Sequence, residues 1–376
     1  MDRRLFVKGA ALGAGATALA ACNETAGPAQ DGVAAPAIVK RRRQLKLVTT
    51  WPKNLPGLGT APEEIARHVR EATDGAIDIR VYAAGELVGA FEAFDAVAIG
   101  GADMYHGAEY YWQGKSKAFN FFTAVPMGLT ANEHMAWIYH GGGQDLWDEL
   151  SAKFNIKPLM AGNTGVQMGG WFRKEINSLE DLKGLVIRMP GLGGEVVRRL
   201  GAAAIALPGG EIFTSLQTGA IDATEWVGPW NDTAMGFYQV AKYYYWPGFH
   251  EPGAALAIGV NLDTWNDFTA AEKRIVADAC AAENSRNLAE FNALNTQALV
   301  KLQEDHGVRL RKFNDDILKK IAEVSEEVIY EAGQTDALTA RVYDSFNEAR
   351  IQSAQWSRIS EEGFWRARRF SPVFQT

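Results

Sequence analysis

From Gln44 onward the apolar positions switch repeatedly between short runs and longer segments of helical spacing. Leu45, Leu47 and Val48 alternate with polar residues and predict a first strand that ends at Trp51-Pro52. Ala61-Pro62-Glu63-Glu64 opens a helix that closes on Gly75, with proline in the first turn and glycine past the end. Residues 76–83 read as a second strand, and 91–107 as a helix followed by a short third strand. Strands alternating with helices predict a largely parallel sheet. A second body of similar pattern begins near residue 154. It holds apolar segments at 155–162 and 166–172, a short capped helix at 178–184 and a strand at 184–189. There follow a helix at 190–200, a strand-like run at 202–208, a helix at 211–219 and a strand end at 221–226. Residues 243–252 read as an aromatic turn, and 255–261 as a strand that returns to the first body.

The last third is helical. Residues 269–305 contain few breakers and are longer than one lobe requires, which predicts a helix spanning both. Two more helices are expected at 314–334 and 336–367. On the latter, Leu338, Val342, Phe346, Ala349, Ile351, Ala354, Trp356 and Ile359 make a broad apolar face. Such a face must pack, on its own body or on a second subunit.

The N-terminus departs from this pattern. Asp2-Arg3-Arg4-Leu5-Phe6-Val7-Lys8 precedes a Gly/Ala-rich stretch at 9–21 that is too short to span a bilayer, which takes about 20 residues. It resembles a twin-arginine export signal, and Leu19-Ala20-Ala21-Cys22 resembles a lipobox with Cys22 as the lipidation site. Residues 23–43 read as a disordered tether ending in the basic run Lys40-Arg41-Arg42-Arg43, taken as a solvated flank. The expected location is the periplasm, with or without a membrane anchor through Cys22. The whole chain carries a formal charge of −7; residues 1–21 contribute +2, so their removal leaves −9, which argues against nucleic acid as partner. With two cysteines, Cys22 and Cys280, no disulfide, zinc or haem motif is available.

Candidate chemistry gathers in residues 160–230. Arg188 lies among Leu185, Val186, Ile187 and Met189, in a run stopped by Pro190-Gly191. A guanidinium there is costly unless it meets an anion, and its planar fork suits a carboxylate. Two readings stand: it clamps a bound acid, or it points to solvent or pairs with a structural glutamate. Gln167, Glu225 and Trp226 fall at neighbouring strand ends, where open α/β sheets hold ligands. Tyr111, within Tyr110-Tyr111-Trp112, is positioned to wall the same cleft or to fill the core. His250 and Glu251 are read as turn residues before ligand groups. No nucleophile elbow, dinucleotide fingerprint or catalytic triad order is present.

At SLEDLKGLVIRMPG and SLQTGAIDATEW the chain resembles the extracytoplasmic solute receptors of TRAP transporters, over nearly the whole length from Leu45. TTWPK and EWVGPW resemble the 2-oxo acid and lactate branch. The resemblance implies a two-lobed, type II periplasmic-binding-protein-like α/β fold with mixed sheets and an extended C-terminal helix. It places lobe 1 at 44–163 and 256–285, lobe 2 at 164–255 and 286–335, a spanning helix at 269–305 and a dimerisation helix at 336–376. It implies that Arg188 clamps a small 2-oxo or 2-hydroxy monocarboxylate. Gln167, Glu225 and the main chain at Trp226 then hold a sodium or calcium ion that also touches the acid. It further implies a TRAP permease as partner and a homodimer through the C-terminal helix. The ion has a physical rationale. A glutamate 4 Å from a bound carboxylate repels it by about 4 kcal/mol at an effective dielectric of 20, and a hard cation between them reverses the sign. The alternatives are an exported enzyme acting on small acids, or a receptor of this fold for an aromatic or other carboxylate.

Overall fold

The structure, a computed structural model, describes residues 42–374. The export signal, Cys22 and nearly all of the tether lie outside the described residues. Two mixed sheets organise the chain. The first has the order β2-β1-β3-β10-β4, from β1 (Arg43–Thr49), β2 (Ile77–Tyr82), β3 (Met104–Gly107), β4 (Ile156–Asn163) and β10 (Ala255–Asn261). The second has the order β11-β9-β5-β8-β6-β7, from β5 (Gly170–Phe172), β6 (Val186–Arg188), β7 (Ala203–Ile205), β8 (Ala223–Thr224), β9 (Tyr243–Trp246) and β11 (Arg309–Lys312).

The parallel reading holds where crossover helices intervene: β1 runs parallel to β2 and β3, and β6 to β7 and β8. It fails at the strands that return from the other sheet. β10 enters antiparallel between β3 and β4, and β5 lies antiparallel to both β8 and β9. Both insertions are central, so each is buried and predominantly apolar; all seven residues of β10 are buried.

Three readings are corrected. Tyr243–Trp246 is a strand, and only the following Pro247–Glu251 segment turns. Tyrosine and tryptophan favour a pleated, half-buried surface, and this outweighs the Pro-Gly breaker behind them. The expected helix over 336–367 breaks at Ser360 into Ala337–Ile359 and Glu361–Arg368. Arg43 is not a solvated flank: it opens β1, donates from Nη2 to the Asp267 carbonyl at 2.6 Å and lies 3.5 Å from Glu272.

The long helix Ala270–Glu304 opens on a reciprocal cap between Thr269 and Glu272, with distances of 2.7 and 3.2 Å. Its 35 residues extend about 52 Å at 1.5 Å per residue. It packs on β4 and the helix Ala61–Ala72 of the first sheet, and on the helix Pro229–Met235 beside the second. The helix Ala337–Ile359 buries only its first half: Leu338, Val342 and Phe346 enter the core, with Phe346 edge-on to Trp137 at 5.2 Å. Trp356 and Ile359 remain 66% and 71% exposed. Among the described residues no helix is long and apolar enough to cross a membrane.

Candidate functional site

Arg188 ends β6 and is 1% exposed, so its charge must be met inside the protein. Glu225, one residue beyond β8 and fully buried, supplies an ion pair through Oε1 to Nη1. The adjacency is built by the sheet, since β6 pairs with β8 and the Glu225 amide donates to the Arg188 carbonyl at 3.2 Å. Nη2 donates to the Tyr111 hydroxyl at 3.3 Å and Nε to the Leu207 carbonyl at 3.2 Å. The Trp226 ring lies over the guanidinium at 5.1 Å, which adds a cation–π contact. Burial opposes the Arg188 charge, but Glu225, Tyr111 and Tyr110 together more than offset it and hold the group firmly protonated.

Gln167 sits in the loop between β4 and β5, which pairs with the turn after β9. The Gln167 amide donates to the Glu251 carbonyl at 3.2 Å, and the Gly248 amide to the Gln167 carbonyl at 3.0 Å. A Cβ on Gly248 would lie 2.3 Å from that carbonyl, so glycine is required for the approach. This register brings Glu251 to the site: Gln167 Nε2 donates to Glu251 Oε2 at 2.6 Å and to Thr164 Oγ1 at 3.0 Å. His250 Nε2 lies 3.2 Å from Glu225 Oε2. Both residues lie in the turn and also belong to the buried cluster, so the turn does not account for them alone. The available signal was two consecutive ionisable residues in a turn otherwise made of aromatics, glycine and proline.

Glu225, His250 and Glu251 each offer a ligand atom within 4.8 Å of the others, all buried. Burial, then repulsion from Glu225, pushes the Glu251 carboxyl up to about 7. Burial would lower His250, but its hydrogen bond and attraction to Glu225 raise it. Gln167 Oε1 is a buried acceptor without a hydrogen-bond partner. Two carboxylates and an unsatisfied amide oxygen form an oxygen-rich donor set that fits a hard cation and suits zinc poorly. In the charge state that cation binding favours, with both carboxylates ionised and His250 neutral, Arg188 against Glu225 and Glu251 leaves the cluster at −1.

The structure thus brings Gln167, Arg188, Glu225, Trp226 and Tyr111 into one cluster. Trp51 closes it from the first sheet, 6.2 Å from both Trp226 and Tyr111, with its indole donating to His106 at 2.8 Å. Sequence reasoning passed over Trp51 and Thr164 as site residues. The remaining cavity, walled in part by Trp51, Leu58, Tyr110, Tyr111 and Leu256, is about 10 Å³. That is far less than an organic acid needs, so these walls must move apart to admit one.

Residues 47–335 match the family model for DctP, described as bacterial extracellular solute-binding protein, family 7. The chain is 40% identical to a monocarboxylate 2-oxoacid-binding periplasmic protein of Nostoc sp., covering 96% of this chain and 97% of that one. It is similar to a TRAP periplasmic solute-binding protein from Colwellia psychrerythraea with bound calcium and pyruvate (TM-score 0.84, 38% identity, 87% of this chain and 99% of that one). It is also similar to one from Pseudoalteromonas atlantica with bound sodium and pyruvate (TM-score 0.83, 37% identity, 86% and 99%). The chain belongs to family 7 of the bacterial extracellular solute-binding proteins, the DctP family of TRAP solute receptors, and is a receptor and not an enzyme.

Proposed function

We propose that this receptor holds a small 2-oxo or 2-hydroxy monocarboxylate of the pyruvate or lactate type, together with sodium or calcium, between two lobes. Lobe 1 would comprise 44–163 and 256–285, lobe 2 would comprise 164–255 and 286–335, and the long helix would join them. The observation that carries this is the buried Arg188 guanidinium facing two buried carboxylates, Glu225 and Glu251. Arg188 takes the acid's carboxylate, and Tyr111 and Trp226 wall it. Gln167, Glu225 and the Trp226 carbonyl hold the cation, with Glu251 as a further oxygen ligand from the turn. The ion supplies charge compensation: the cluster at −1 falls to −2 when a monocarboxylate enters and reaches zero with a divalent cation. The bound relatives from Colwellia psychrerythraea and Pseudoalteromonas atlantica support the same pairing of acid and ion.

The closed receptor would then deliver its ligand to TRAP permease subunits. The exposed half of the helix at 337–359 favours a homodimer through the C-terminal segment 336–376. Export by the twin-arginine route and an anchor through acylated Cys22 complete the reading. Cys22→Ser should move the protein from the membrane fraction to the soluble periplasmic fraction; unchanged partition would reject the anchor.

Titration of tryptophan fluorescence with pyruvate, lactate and an aromatic acid, with and without calcium or sodium, tests the ligand. Saturable binding of the short acids that disappears on chelation and sodium removal is the expected result. Preference for the aromatic acid, or binding indifferent to cations, would overturn it.

A further inference from the structure

Next to the ligand cluster, one buried amide ties the second sheet's strand ends to the first sheet's loop. Asn231 opens the short helix Pro229–Met235 and is fully buried. Its Oδ1 accepts from the Trp226 indole Nε1, and its Nδ2 donates to the Pro56 carbonyl. An indole N–H only donates and a prolyl carbonyl only accepts, so these partners fix which way round the amide sits. Pro56 belongs to the loop after β1 and Trp226 to the segment after β8. The same contact therefore reads the ring above Arg188 and the opposite wall of the cleft.

The surroundings show that this seat is shaped for the loop. Asn287 of the long helix donates to the Gly57 carbonyl at 2.9 Å. Gly57 has φ +72, and a Cβ there would lie 2.7 Å from the Phe291 ring and 2.9 Å from the Trp230 ring. Only glycine fits that backbone in that space. On the other side Asp232 fastens the Trp226 segment independently, accepting from the Val227 amide at 3.1 Å, the Trp171 indole at 2.8 Å and the Tyr244 hydroxyl at 2.7 Å. The segment is thus anchored within its own sheet by Asp232, whereas Asn231 holds Trp226 of its own segment with Oδ1 and reaches across to Pro56 with Nδ2.

We propose that Asn231 is a positioning residue that latches the closed receptor, making the grip on the first sheet's loop conditional on the seating of the Trp226 indole. This rests on the carboxylate-receptor reading above. When the ring is placed by the ligand, the indole holds Oδ1 and aims Nδ2 at Pro56. When it is displaced, the amide is free to turn and the loop loses its buried donor. Opening then exposes Asn231 to water, so the residue contributes to the lifetime of the bound state rather than to the unliganded fold.

Stopped-flow tryptophan fluorescence with pyruvate and calcium tests this on the full chain. Asn231→Asp keeps the acceptor for Trp226 and removes the donor to Pro56. It should raise the dissociation rate at least about 10-fold, because the Pro56 acceptor is left unmet and a carboxylate oxygen faces it, with association nearly unchanged. Gly57→Ala, on the opposite wall and outside the ligand cluster, should act in the same direction. The melting temperature without ligand should stay at the wild-type value in Asn231→Asp, while the increment added by pyruvate and calcium shrinks. Wild-type binding with unaltered dissociation in both variants would overturn the latch alone. An equal loss of melting temperature with and without ligand would also overturn it, reducing Asn231 to a structural residue. Absence of any wild-type signal with pyruvate, lactate or an aromatic acid would overturn the receptor reading and the latch with it.

Discussion

At the scale of single residues, the cluster is a balance of charges that few substitutions leave intact. Removing Arg188 leaves Glu225 and Glu251 buried without their cation. Arg188→Met should therefore cost about 2–5 kcal/mol of pyruvate affinity, measured by titration calorimetry. Unchanged affinity would remove Arg188 from the site. Glu251 carries a pH signature. Its folded value of about 7 lies above the ordinary carboxylate range, so its burial costs nothing while it is protonated in both states. The cost appears as pH rises from about 4.5 through 7, and the unliganded melting temperature should fall across that window. Glu109 and Asp232, which burial also pushes up to about 7, contribute slopes of the same sign. Glu251→Gln should flatten part of the slope, and saturating calcium with pyruvate should flatten more, because the cation takes the ionised form. A slope identical in wild type and Glu251→Gln would exclude this role. Arg188, Glu225 and Gln167 were legible because a charged or amide side chain at a buried strand end is costly by itself. Glu251 was not, because a turn of glycine, proline and aromatics accounts for its own composition and leaves no visible debt.

Among secondary-structure elements, most helices and buried strands follow from apolar spacing, and the exceptions share a cause. Arg309–Lys312 shows only one apolar residue in four, as an edge strand can, and pairs solely with β9. Its partner Tyr243–Trp246 was masked by the breaker that follows. The helix at 337–359 displays a periodic apolar face whose register says nothing about what covers it. Here the two halves differ in kind. Phe346, buried against Trp137 and Phe121, should cost about 3–5 kcal/mol of stability when truncated to alanine. Trp356→Asp combined with Ile359→Asp should leave the monomer fold intact and shift a dimer to monomer in analytical ultracentrifugation. A double variant that sediments as wild type would rule out this face as the contact.

For the molecule as a whole, the crossings between sheets matter more than either sheet. β4 leads into β5, β9 is followed by β10, and the long helix precedes β11. β3 and β4 never touch; β10, more than ninety residues later, lies between them. A nascent or proteolysed chain that stops short of residue 261 therefore presents two bare strand edges in place of a finished sheet. Assembly of the first sheet must wait for a distant piece of polypeptide to arrive, which makes its loop closure slow and its half-made forms open to mispairing with other chains.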